Sequence, residues 1–157
     1  MTKKRLGKND KFKQEEREFE QKLVDLSRVT RVTKGGKQMS FRATMVIGDK
    51  KGKAGFGIGK SKDVSTAISK AVKSAKKNLV IVPIKNKTIP HEIRVKYGAG
   101  KALLKPAGEG KGIKAGGAMR VALELAGIPN VTGKILGSKS KINTLYATFE
   151  ALKQLKK

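Results

Sequence analysis

Apolar and polar positions alternate through three successive runs between residues 20 and 60, after which the period lengthens to that of a helix. Leu23 to Thr33 reads as a first strand, and Lys34-Gly35-Gly36-Lys37 as a flexible, basic, projecting loop. In the second strand Met39, Phe41, Ala43, Met45 and Ile47 share one face. Gly48-Asp49-Lys50-Lys51-Gly52 has the composition of a hairpin turn, and Lys53 to Lys60 returns as a glycine-rich strand. From Asp63 to Leu79 the spacing becomes three and four. Val64, Ala67, Ile68, Ala71, Val72, Ala75 and Leu79 form one buried stripe of a helix. Ser61 or Asp63 can cap its first turn, and Lys73, Lys76 and Lys77 suit its C-terminal end. The outer face is lysine-rich, either solvated or turned towards phosphate.

After Leu79 the pattern restarts. Leu79 to Ile84 is an apolar strand, Thr88 to Tyr97 alternates as another, and Lys101 to Pro106 can form a third. A glycine-rich stretch, Gly108 to Gly112, leads into a helix from about Ala115 to Ala126. Val131 to Leu136 is a short strand, and a last helix from about Asn143 to Leu155 buries Leu145, Phe149 and Leu152. The fold class is α+β in two small domains, residues 20–82 and 83–157, the second with a core of its own and packed against the first. The β-β-β-α order of the first half is the tail end of the α-β-β-β-α layout of double-stranded-RNA-binding domains. Residues 1–19 mix charges densely and form a flexible tail, disordered alone or transiently helical from Lys11 to Leu23.

Charge narrows the function. The chain carries 37 Lys and Arg against 12 Asp and Glu, a formal net charge of +25 over 157 residues. Six of the acids (Asp10, Glu15, Glu16, Glu18, Glu20 and Asp25) lie in the first 25 residues, so the basic excess belongs to the folded part. A compact body so charged repels itself unless a polyanion is bound, and nucleic acid is the usual partner. A membrane fits less well, since no apolar stretch approaches the ~20 residues of a spanning helix. No apolar core follows the N-terminus either, so the expected location is cytoplasmic. With no Cys and His91 alone, neither thiolate nor multi-histidine metal sites can form, and no metal or other cofactor is expected. Aromatic residues are too scarce for base stacking to be the main mode of binding. Folded RNA, gripped by phosphate, sugar and shape, fits better.

Two glycine motifs invite an enzyme reading and fail it. Gly55 to Ser61 resembles a phosphate-binding loop, but Ala54 stands where the pattern needs glycine, and the glycines lie inside a predicted strand. Glycines there more often admit a close backbone neighbour. Gly110 to Ala115 matches a dinucleotide fingerprint, yet no acid lies between Leu125 and Phe149 to hold a ribose. That helix start, with Lys111, can still bind an RNA phosphate. Asp49, Asp63, Glu92, Glu109, Glu124 and Glu150 read as turn former, cap, surface charge or lysine partner, and His91 as structural, so no catalytic residue is expected.

The RNA-binding candidates are therefore basic clusters with glycine between them. Arg28, Arg31, Lys34, Lys37 and Arg42 gather around the first strands, with Thr30, Gly35 and Gly36. Lys50, Lys51, Lys53, Lys60 and Lys62 surround the second hairpin, and Lys134, Lys139 and Lys141 flank Gly137-Ser138. Glycine lets the backbone itself donate to phosphate.

The run Gly35-Gly36-Lys37-Gln38-Met39-Ser40-Phe41-Arg42-Ala43, then Val46 to Gly52 and Gly55 to Lys60, closely resembles the signature of bacterial small-subunit ribosomal protein five. Ala75-Lys76-Lys77-Asn78-Leu79, Thr88 to Glu92, Gly98 to Lys101, Leu104 to Ala107, Gly116 to Ala118, Leu123 to Ile128 and Leu136 to Ser138 resemble it in the same order. The resemblance implies a double-stranded-RNA-binding-like first domain and a second α+β domain with a left-handed crossover, against the usual hand. It implies a structural constituent of the small subunit, bound to 16S-type rRNA, that supports assembly and translational accuracy. It also implies contacts with small-subunit ribosomal proteins four and eight. With proteins three and four, such a protein borders the channel through which mRNA enters and takes part in unwinding it. The extended loop Thr30 to Gly36 corresponds to one lying near the spectinomycin site. There Thr30-Arg31 keeps the family's charge, and Val32 replaces a commoner polar residue.

Overall fold

A computed structural model of the chain describes residues 19–156. The strands β1 (Glu20–Thr33), β2 (Gly36–Gly48) and β3 (Lys53–Ser61) are followed by helix α1 (Val64–Lys77) and strand β4 (Leu79–Ile81). They form one antiparallel sheet in the order β1-β2-β3-β4. Then come β5 (Ile93–Tyr97), β6 (Gly100–Pro106), β7 (Ile113–Lys114), α2 (Gly117–Ala126), β8 (Val131–Gly137) and α3 (Lys141–Gln154). The second sheet has the order β5-β6-β8-β7 and is antiparallel except for β7 and β8, which run parallel with α2 between them in sequence. This is the two-domain α+β architecture that the pattern predicts.

The first sheet is built around a contact without side chains. Residues directly opposite in an antiparallel pair share a face, so Ala43, Met45 and Ile47 of β2 lie on the same face as Gly59, Gly57 and Gly55 of β3. Against those glycines rests α1, whose fully buried Ala67, Ala71 and Ala75 recur at four-residue spacing. A Cβ built on Gly55, Gly57 or Gly59 would lie within 3.0 Å of the α1 backbone: of Ala75, of Ala71 and of Ala67, respectively. The glycine-rich strand is therefore a seat for a helix, and no phosphate loop precedes α1.

The opposite face of this sheet is apolar too. Val46, Ala54, Phe56 and Val80 belong to one buried cluster with Leu104, Leu123, Leu145 and Phe149 of the second domain. Phe56 packs edge-on to Tyr146 at 4.7 Å between ring centroids and against Phe149 at 4.9 Å. The second domain thus has no separate core. The small separate cluster is the one beneath α1, with Ala43, Met45, Ala67, Ala71 and Val72. Backbones also meet where the domains join: Lys50 N–H donates to Leu125 O at 3.1 Å and Gly52 N–H to Ala126 O at 3.0 Å. A Cβ on Gly48 would meet Leu125, and one on Gly127, which ends α2 at φ +76°, would meet Lys50.

Several expectations need correction. The helix proposed for Lys11 to Leu23 ends in what is strand, because Glu20 to Leu23 pair with Gly48 to Met45; the tail before residue 19 lies outside the described residues. Lys34 to Lys37 is no open loop. Only Lys34 and Gly35 form the turn, and the strands run up to it, with Gly36 at φ +144°. Leu79 leaves the buried stripe of α1 to begin β4, which pairs with β3 and closes the first sheet. Asp63 holds the N-cap position of α1 but makes no side-chain cap bond; Thr66 Oγ1 instead donates back to Asp63 O at 3.0 Å. Thr88 to Tyr97 is strand only from Ile93, since Pro90 lacks the N–H a ladder needs.

The glycine seat gives a direct test. Gly57→Val is expected to destabilise the chain by about 3 kcal/mol or more, since the α1 backbone at Ala71, Ser74 and Ala75 leaves the added side chain no room. At the open turn, Gly35→Ala should stay within about 0.5 kcal/mol of the natural chain. Urea unfolding midpoints measure both, and equal midpoints would show that α1 does not rest on β3.

Candidate RNA interface

The β1–β2 ladder extends past the rest of the sheet. β3 pairs with β2 only from Phe41 onward, so Val29 to Thr33 and Gly36 to Ser40 form a two-stranded arm with no third strand. Arg28, Arg31, Lys34 and Lys37 are exposed at its base, sides and tip, with Thr30, Gly35 and Gly36 among them. Register places Arg28, Thr30, Val32 and Lys37 on one face and Arg31 with Gln38 on the other. Thr30, Arg31 and Val32, which the alternation places in the first strand and the resemblance in an extended loop, are the last residues of β1 before Thr33, and Val32 is 73% exposed. Basic groups on both faces allow the arm to meet phosphate on either side.

At the base of the arm three elements converge. Ser27, Arg42 and Lys60 stand in one cross-strand row on β1, β2 and β3. The Arg42 Nε is buried without a hydrogen-bond partner among the described residues. Beside this row Lys141, at the start of α3, donates to Asp25 Oδ1 at 2.8 Å across 116 residues of sequence. Ser27 Oγ donates to the same carboxylate at 2.8 Å. These two bonds, with the positive charges of Lys141 and Arg42, hold the Asp25 carboxyl below its ordinary value of 3.8, although partial burial opposes them. Lys139, two residues before Lys141, and Lys62, just after β3, are exposed. The structure thus joins Arg42, Lys60 and Lys141, from both domains, to the arm.

The remaining candidates lie elsewhere. Lys50, Lys51 and Lys53 occupy the far end of the β2–β3 hairpin, about 25 Å from Phe41 along the strand. Asp49 shapes that turn by accepting from Lys51 N–H at 2.7 Å and Lys53 N–H at 2.9 Å. Glu20 pairs with the Lys50 ammonium and raises its pKa. Lys111 is exposed in the loop before β7, and Lys134 lies on β8 beside a shallow groove lined also by Lys114, Ala115, Gly116 and Gly133. The dinucleotide fingerprint serves the fold instead: Gly112 N–H donates to the Asn130 side chain at 3.0 Å, and Ile113 and Lys114 are strand. Lysines Lys70, Lys73, Lys76 and Lys77, legible in the sequence only as a basic helix face, form a further block on α1.

Most acids of the folded part are paired, Asp63 having no side-chain cap bond and, among the described residues, no ion pair. Glu92 pairs with Lys105, Glu109 with Lys87, Glu124 with Lys22 and Glu150 with Lys153. His91, expected to be structural, is exposed. Among the described residues no group of His, Cys, Asp and Glu could hold a metal ion, and no helix is long and apolar enough to cross a membrane.

The Asp25–Lys141 pair makes stability depend on pH. A carboxyl lowered in the folded state stabilises the fold above its unfolded pKa, and this is lost as pH falls through the folded value. Asp25→Asn should therefore cost up to about 1 kcal/mol near neutral pH, Lys141 being largely exposed. Urea titrations of both proteins should converge at pH values well below the ordinary carboxylate range. A gap of unchanged size there would contradict the pairing.

Comparison with known families matches both halves. A model described as the N-terminal domain of ribosomal protein S5 matches residues 19–83, and one described as its C-terminal domain matches residues 95–157. Two domain models of one family, in order, cover the sheet with its arm and the domain joined to it. The chain belongs to the ribosomal protein S5 family and is an RNA-binding ribosomal protein of the translation apparatus.

Proposed function

We propose that the chain is a structural, non-enzymatic constituent of the small ribosomal subunit that binds small-subunit rRNA through the arm and its base. The observation that carries this reading is the convergence of Arg28, Arg31, Lys34 and Lys37 on an isolated β-ribbon with Arg42, Lys60 and Lys141 at its foot. A ribbon of this kind cannot read bases in the deep, narrow major groove of A-form RNA. It suits contacts to phosphate and sugar that follow the shape of a junction. The arm tip leaves the backbone accessible at Gly35, where among the described residues nothing lies within 4 Å of a built Cβ, as at Gly36. Lys50, Lys51, Lys53, Lys62, Lys111, Lys134 and Lys139 serve as outlying phosphate contacts. Residues 20–82 act as the double-stranded-RNA-binding-like domain and 83–157 as its brace.

In this reading the protein supports subunit assembly and decoding accuracy by fixing rRNA elements against a rigid two-domain body. Small-subunit ribosomal proteins four and eight are its protein neighbours, and mRNA passes close by as it enters. Thr30, Arg31 and Val32 lie near the spectinomycin site.

Affinity for small-subunit rRNA should fall steeply with salt, by about 0.7–0.9 log units per log unit of salt for each phosphate neutralised. Replacing Arg28, Arg31, Lys34 and Lys37 together by Gln should lower that slope by about 3 while circular dichroism stays unchanged. Filter binding across a salt series reads the slope. An arm variant with an unaltered slope would remove the arm from the interface.

A further inference from the structure

Helix α1 carries a block of positive charge that the arm and its base do not use. Lys70, Lys73, Lys76 and Lys77 lie with Ser65, Thr66 and Ser69 on one side of the helix, within an arc of about 140°. The opposite side, Ala67, Ala71 and Ala75, is fully buried on β3. Six other lysines (22, 50, 87, 105, 141 and 153) each hold a carboxylate within 4.0 Å; among the described residues none of the four on α1 does. The nearest acid in sequence, Asp63, sits at the far end of the helix.

Spacing makes this costly. Lys73 is three residues from Lys70 and from Lys76 and four from Lys77, so three like-charged pairs stand side by side. The helix dipole favours cations in the last turn, which accounts for Lys76 and Lys77. It does nothing for Lys70 and Lys73, which lie earlier. Such repulsion is relieved when a row of anions lies along the helix.

We propose that this face of α1 is a second RNA-backbone surface, on the side of the first sheet turned away from the second domain. The proposal rests on the rRNA reading above. Lysine favours this use, because a flexible point charge follows phosphates without reading bases. Lys70 to Lys77 spans about 10 Å of helix axis, a line of charge rather than a point. A membrane surface fits poorly, since interfacial helices bury an apolar face in lipid, and here that face is already packed on glycine.

The test uses the full chain with Lys70→Gln, Lys73→Gln and Lys77→Gln combined, titrated against small-subunit rRNA across a salt series. The slope is expected to fall by about 2, because three phosphates are no longer neutralised, and the corresponding triple Lys→Arg variant should restore it. Melting at low salt should not be lowered, since repulsion is relieved. Should the triple variant not fold, Lys73→Gln alone should lower the slope by about 0.7–0.9. An unchanged slope, with the natural chain binding normally, overturns this proposal alone. Absence of rRNA binding by the natural chain overturns the rRNA reading and this proposal with it. Loss of binding to poly-glutamate with an unchanged rRNA slope would assign the face to an acidic protein partner and also overturn it.

Discussion

Everything in the first domain depends on one close contact, the α1 backbone lying directly on the β3 backbone. Three glycines on one strand face and three alanines on one helix stripe leave nothing between the two elements. Close packing of this kind makes the unit stiff, since neither side has rotamers to exchange. It also sets the rest of the molecule. With α1 this tight on β3 and β2, the sheet's other face is free to carry Val46, Phe56 and Val80 into the second domain. The arm, paired only to itself, is then held at its root by a body that does not yield.

The same device recurs where the domains meet. Gly48 and Gly127 let the β2–β3 hairpin and the end of α2 approach until their backbones share hydrogen bonds. Charge does the finer positioning. Lys141 reaches Asp25, and Lys22 reaches Glu124, so each domain ties a basic residue to an acid of the other. These carboxylates act as fasteners between the domains, and they are few against the 37 Lys and Arg that give the chain its net charge of +25.

Much of this is legible in the amino-acid pattern. Periods of two and of three to four mark the elements, and the failed phosphate-loop pattern correctly leaves Gly55, Gly57 and Gly59 as a place for close backbone approach. The shared core is not legible, because Val46 and Phe56 read only as apolar residues on the second face of a strand and nothing local says what covers them. Lys141 and Asp25 cannot be paired across 116 residues from sequence alone. The strand Leu23 to Thr33 is legible, but Lys34 to Lys37 reads as an open loop because Gly35-Gly36 signals flexibility, whereas the ladder carries the pairing on to Gly36 and Lys37. Two-residue β7 is too short for any periodicity, and it exists because β8 offers it an edge. The candidate interface is legible as clusters but not as a surface: Arg42, Lys60 and Lys141 come together only through register and domain packing.

A rigid, basic body that is a fixed part of the small subunit should travel with it. When a cell extract containing the tagged chain is sedimented through a sucrose gradient, one copy of the chain per small subunit is expected, co-migrating with that particle at moderate salt and released from it as salt rises. Recovery mainly in the light fractions at moderate salt, with the particles free of it, would show that the chain is not a fixed part of the subunit.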